Sequence, residues 1–188
     1  MNTRYEMRLT GSGGQGVILA TIILADAGLM AGKNTLQSQS YGPEARGGMC
    51  KAEVIVSDGA IGFTKVIRPS FLLALTQLAL DKYAQDLPSD CIVMTDESLK
   101  LPAYLDGKKV ITIPILRTAF EKVGKAFTAN IVAVGAINAA LNLASPEQIE
   151  QAVFRHIPAG TEELNRKALH EGEALVKSLH LQSFLKIA

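Results

Sequence analysis

The sequence predicts a single three-layer α/β domain built on a mostly parallel mixed sheet, with helices on both faces. Three observations predict it. A strand-like run at residues 4–10 passes through a glycine-rich turn into a long apolar helix and then a second strand-like run. Short apolar strands and helices keep alternating further along, as parallel pairing requires. A cleanly alternating run, residues 49–57, ends in Ser57-Asp58-Gly59, a turn that predicts a hairpin into residues 60–66 and so an antiparallel component. The chain's 188 residues suffice for one domain with a sizeable core, covering residues 1–188.

Each element has its own reason. Residues 4–10 place Tyr5, Met7 and Leu9 on one face. Residues 17–31 are apolar except for Thr21, Asp26 and Gly28, too long a run for a strand, and Gly32 follows as a helix terminator. Residues 34–40 read as the second strand. In residues 49–57, Cys50, Ala52, Val54 and Val56 share one face. Residues 71–76 read as a buried strand, 77–85 as a helix, and 91–95 and 110–114 as short strands. Pro69-Ser70 is read as structural. Residues 129–143 form a helix of small residues suited to close packing, inside the domain or against a partner. Ser145-Pro146-Glu147-Gln148 is a capping box with proline at the first helical position. Thr161 is expected to cap a last helix with Leu164, Ala168, Gly172, Leu175 and Leu179 on one face.

Composition excludes several function classes. Apolar residues make up 48% and charged residues 20%, as in an ordinary globular protein, so disorder is excluded. Net charge is +1, with basic residues scattered, which argues against nucleic acid as partner. Cys50 and Cys91 are far apart, with no CxxC pair or His/Cys cluster, so this chain cannot alone assemble a four-thiolate iron–sulfur site or a Cys-rich zinc site. No signal peptide and no span of about 20 apolar residues stands out, so the protein is expected in the cytoplasm with no membrane span.

Gly11-Ser12-Gly13-Gly14-Gln15-Gly16 satisfies G-x-G-x-x-G between a strand and a helix, giving the sheet a Rossmann-like start. Glycine permits positive φ and close approach of a ligand, and the next helix presents free N–H groups to an anion. A bound phosphate or carboxylate, a dinucleotide and a plain packing turn stay open. A dinucleotide would need an acid about 20 residues on, but the second strand ends Gln37-Ser38-Gln39-Ser40 and the next acid is Glu44. A Walker loop is excluded, because no Gly-Lys-Ser/Thr follows. A tight turn that only packs helix on sheet is the plain alternative.

Tyr41-Gly42-Pro43-Glu44-Ala45-Arg46-Gly47-Gly48 is the more specific loop. Arg46 can bind a carboxylate or phosphate in a two-pronged contact, or it can pair internally with Glu44. In such sheets ligands bind beyond the carboxyl ends of the strands, so both loops are expected on one edge. Asn130 begins the small-residue helix and either caps it or reaches that edge. His156, His170 and His180 form no triad and are expected at the surface.

The motifs GSGGQGVILA, QSYGPEARGG followed by KAEVIVSD, and TANIVAVGA resemble the gamma subunit of 2-oxoacid:ferredoxin oxidoreductases, most of all the 2-oxoglutarate type. The resemblance covers roughly residues 4–179. It implies an enzyme that converts a 2-oxoacid and coenzyme A to acyl-CoA and CO2 while reducing ferredoxin. It implies alpha and beta partner subunits, and a delta subunit in some members, which hold thiamine diphosphate, magnesium and iron–sulfur clusters. This chain would bind no cofactor alone, supply no catalytic residue and be inactive alone. Gly11, Ser12, Gly13, Gly14, Gln15 and Gly16 would face an anionic part of coenzyme A. Tyr41, Gly42, Pro43, Glu44, Arg46 and Gly47 would edge the same site, with Asn130 nearby. An independent NAD(P)-dependent oxidoreductase and a purely structural subunit are the alternatives.

Overall fold

A computed structural model describes residues 3–40 and 48–179. Six strands form one sheet: β1 (Arg4–Ser12), β2 (Asn34–Ser40), β3 (Met49–Ser57), β4 (Phe71–Ala74), β5 (Ile92–Asp96) and β6 (Lys109–Ile113), in the order β2-β3-β1-β4-β5-β6. β4, β5 and β6 run parallel to β1. β3 alone is antiparallel to its neighbours, lying between β1 and β2.

One face of the sheet is covered by α1 (Val17–Met30), α4 (Ala129–Leu141), α5 (Pro146–Arg155) and α6 (Glu162–Lys177). Between β6 and α4 lie a short α3 (Ile115–Arg117) and a π-helical turn, Thr118–Val123. Ile23 and Leu24 of α1 are fully buried in one core cluster with Met7 and Leu9 of β1 and Val54 and Val56 of β3, each contributing roughly 1.5–3 kcal/mol. The other face is thinner. α2 (Gln77–Tyr83) and a 3₁₀ turn at Ala103–Leu105 cover a smaller cluster that includes Leu72, Ala74 and Val93, with Val110 at its margin.

The small residues of α4 serve the domain interior. Twelve of its thirteen residues are buried, and Gly135 crosses Gly172 of α6. A Cβ on either glycine would overlap the other helix's backbone, at Leu169 or Val132, so the two axes approach as closely as only glycine allows. Asn142 ends α4 in the left-handed region at φ 51°. The capping box at Ser145 is complete: its Oγ accepts from the Gln148 N–H and Gln148 Oε1 accepts from the Ser145 N–H.

Two expectations fail. Residues 60–66 form no strand, because both edges of β3 are already paired. Asp58 instead fastens strand ends, its carboxylate accepting from the Thr3 N–H at 2.7 Å and from Lys33 Nζ at 2.6 Å. These bonds hold its carboxyl below the usual carboxylate range, the one from Lys33 most of all. Thr161 stands at the start of α6, but its hydroxyl donates to the Pro158 carbonyl and caps no helical N–H. The buried face of α6 is Asn165, Ala168, Leu169, Gly172 and Val176, with Leu164 and Leu175 at its margin, while Leu179 is exposed.

Candidate functional site

β1 runs through Gly11 and Ser12, so the glycine loop begins as strand. Gly11 is pressed from two sides. A Cβ there would stand 2.5 Å from Gln15 Oε1 and 3.4 Å from Leu75 Cβ, where the chain leaves β4. Gln15 folds back over the turn, its Oε1 accepting from the Ser12 N–H at 2.7 Å. That carbonyl therefore shapes the loop. Gly13 and Gly14 are exposed at the tip, and Gly14 has φ 94° with open space where a Cβ would stand.

Gly16 is the N-cap of α1, in the left-handed conformation at φ 70°. It brings no capping side chain, and the first turn of α1 holds no acidic residue. The first N–H groups and the positive end of a fourteen-residue helix thus open on the loop. Asn130, in the first turn of α4, lies against the same glycine: a Cβ on Gly16 would meet its Nδ2 at 2.5 Å. Its side chain is buried at 6% residual exposure and makes no hydrogen bond to any described residue. Asn130 thus lies beside the N-terminus of α1, and no side chain caps α4.

The second loop arrives at this point. β1 pairs with β3 to its last residue, Gly11 opposite Cys50 and Ser12 opposite Met49. The Gly13 N–H then donates to the Gly48 carbonyl at 3.0 Å. Tyr41, Gly42, Pro43, Glu44, Arg46 and Gly47 lie outside the described residues, but the loop's final residue, Gly48, is joined to the glycine turn.

Sequence reasoning missed two groups at this edge. Cys50 lines a groove of about 360 Å³ together with Ser12, Gly14, Gly16, Ile18 and Ile22. Burial pushes its thiol above the ordinary range, so it stays protonated at neutral pH. Asp96 ends β5 with 2% exposure, both carboxylate oxygens engaged. One accepts from the N–H and hydroxyl of Ser98, the other from the Leu116 N–H. Asp-x-Ser was its sequence signal, and its work is to clasp the chain after β5 to α3.

A larger groove, about 610 Å³, opens on the opposite face between β2, β3 and residues 64–67. Its Glu53 accepts from Arg8 at 2.7 Å and Lys51 at 3.3 Å, and Arg8 also donates to the Val66 carbonyl. These charges are occupied in tying the 60–67 segment to the sheet. The smaller groove at the glycine loop keeps open backbone donors and is the candidate site.

Other sequence expectations land as follows. Ser70 is structural, its hydroxyl bonded to the backbone of Glu6. His156 is only half-exposed and pairs with Asp26 at 3.2 Å, joining α5 to α1. His170 lies at the surface, and His180 falls outside the described residues. Cys91 is buried, and burial pushes its thiol up to about 12. Among the described residues no three His, Cys, Asp or Glu side chains gather to hold a metal ion. None of their helices is long and apolar enough to cross a membrane.

The sequence matches the pyruvate ferredoxin/flavodoxin oxidoreductase family over residues 6–175. It is 44% identical to the 2-oxoglutarate synthase subunit KorC of Methanocaldococcus jannaschii, over 94% of this chain and 96% of that one. Its structure resembles the keto/oxoacid ferredoxin oxidoreductase gamma subunit of Geobacter sulfurreducens, with TM-score 0.81 and 43% identity over 94% of this chain and 98% of that one. The 2-oxoglutarate:ferredoxin oxidoreductase of Magnetococcus marinus shares the fold at TM-score 0.84 and 20% identity, over 93% of this chain but only 31% of that one. With residues 6–175 matched by the family and a gamma subunit 43% identical over nearly its whole length, the protein belongs to the pyruvate ferredoxin/flavodoxin oxidoreductase family as one of its gamma-type subunits.

Proposed function

We propose that this chain is the gamma subunit of a cytoplasmic 2-oxoglutarate:ferredoxin oxidoreductase and that its glycine-loop edge forms part of the coenzyme A side of the active site. The reaction joins 2-oxoglutarate to coenzyme A, releases CO2 and passes two electrons to ferredoxin. Thiamine diphosphate with magnesium, and iron–sulfur clusters, would reside in the alpha and beta subunits, or in a delta subunit, and supply the decarboxylation and electron transfer. This chain has no thiol arrangement fit for a cluster. Its contribution is to bind and orient.

One observation carries the coenzyme A reading: an uncapped, acid-free helix N-terminus at Gly16, overlaid by the buried amide of Asn130. Backbone N–H groups with a helix dipole suit a phosphate, and an amide adds a donor of fixed position. Arg46 would complete the site through the loop that ends at Gly48. The 2-oxoglutarate preference rests on the relative from Methanocaldococcus jannaschii, and the Magnetococcus marinus enzyme was solved with 2-oxoglutarate, coenzyme A and succinyl-CoA bound.

The topology speaks against the dinucleotide alternative. β3 separates β2 from β1, so the end of β2 lies one strand, about 4.8 Å, farther from the glycine turn than a ribose-binding acid would require. In the reconstituted complex, Gly13→Ala, Arg46→Ala and Asn130→Ala should each raise KM for coenzyme A about tenfold, some 1.4 kcal/mol of binding. KM for 2-oxoglutarate should stay unchanged. Unchanged coenzyme A kinetics in all three variants would leave a purely structural subunit. Calorimetric binding of NADH or NADPH, with turnover by the chain alone, would overturn the assignment.

A further inference from the structure

β2 and β6 are the two edges of the sheet, and they differ in how they are guarded. An edge strand leaves the N–H and C=O of every second residue unpaired, and proteins ordinarily protect it by shortness, charge, proline or a bulge. β6 has five residues and opens on Lys109. β2 has none of these protections. Its seven residues, Asn-Thr-Leu-Gln-Ser-Gln-Ser, carry no charge and no proline. It pairs with β3 from Asn34 opposite Ser57 to Ser40 opposite Lys51 without a bulge. Among the described residues no strand lies beyond it.

The groove of about 610 Å³ runs along this open edge. Leu36, Gln37, Ser38 and Gln39 all line it. Side chains of a strand alternate between faces, so four successive residues reach one groove only where it follows the edge as well as a face. The groove is also positively charged. One carboxylate, that of Glu53, answers both Arg8 and Lys51. Lys65 on the far wall is exposed and forms no ion pair with any described residue. Between the cations, Ile67 is 69% exposed and offers an apolar contact.

We propose that the free edge of β2 takes up an extended acidic segment of another subunit of the enzyme as an added strand, its main chain bonded to β2 and its carboxylates facing Lys51 and Lys65. Each part of that description answers a feature of the groove. Unpaired N–H and C=O groups at strand spacing are satisfied together by another strand. Surplus cations beside them select carboxylates. A second copy of this chain fits worse: β2 set against β2 about a two-fold axis would bring both copies' lysines to one seam, with no acid in the strand to meet them. The source of the segment rests on the subunit reading above, whereas the coenzyme A site plays no part.

The test compares the isolated chain with the complex co-expressed from its subunits, by hydrogen exchange read amide by amide along β2. In the complex the amides that point away from β3, every second one between Asn34 and Ser40, should gain tenfold or more in protection. Those bonded to β3 should change little. Lys65→Glu should weaken association with the other subunits tenfold or more, read by light scattering after size exclusion over a dilution series. Lys167→Glu, the same charge change at an exposed position on α6, should leave association intact. Circular dichroism checks that both variants fold. Unchanged exchange at the outward amides would overturn the proposal, and so would undiminished association of Lys65→Glu. An isolated chain that dimerises and protects those same amides would overturn it in favour of self-pairing. Turnover by the wild-type complex reports on the subunit reading separately.

Discussion

At Gly16 the backbone and a neighbouring side chain impose the same requirement. The left-handed φ of 70° disfavours any Cβ, and the Asn130 amide occupies the place where one would go. Gly16→Ala should therefore lower stability by about 1–2 kcal/mol from the backbone alone, measurable by urea unfolding. Part of any excess should return in the double variant with Asn130→Ala. Sequence reading identified this glycine by pattern but not its reason, since Asn130 is far away in the chain. Cys91 supplies a pH prediction. Its thiol is held near 12 in the fold and near 9 when exposed, so the folded state binds the proton more tightly. Stability from this group is intact below pH 9 and lost as pH rises from 9 through 12. The thermal midpoint should fall over that window, and fall less in Cys91→Ala. Burial of Tyr5, also pushed upward, adds to the same slope and remains in the variant.

At the scale of elements, local chemistry was legible and pairing was not. The capping box at Ser145 and the run from Asn34 to Ser40 are set by neighbouring residues, and both stand as read. Ser145→Ala should cost about 1 kcal/mol through loss of its cap. The Asp58 turn misled because a turn says where a strand ends, not what it pairs with. β3 turns back toward β2 and β1, and that choice depends on partners distant in sequence. The α4–α6 crossing was half legible: small residues announced close packing, but not which helix would approach. Gly135→Ala or Gly172→Ala must push the two helices apart, an overpacking that should destabilise by roughly 1–3 kcal/mol or more. Thermal unfolding of the isolated chain checks it.

For the whole molecule, the sheet has one thick apolar layer over α1, α4, α5 and α6 and one thin layer over α2. The fold class follows from alternation of elements and was readable. The site was readable only as two loops; their joining through Gly13 and Gly48 is a product of the β1–β3 register. The chain alone should show no turnover of 2-oxoglutarate with coenzyme A and ferredoxin, and should gain it when the other subunits are added. The place of β3 also governs how the protein is made. A ribosome delivers β1, α1, β2 and β3 by residue 57, so the antiparallel half and its covering helix can form during synthesis. The parallel half must wait, since α4 emerges only with residues 129–141. Until then Phe71, Leu73, Ile92 and Met94 lack the helix that will cover them. A translational pause between residues 113 and 129 would hold out an unfinished apolar face, the kind of surface chaperones bind.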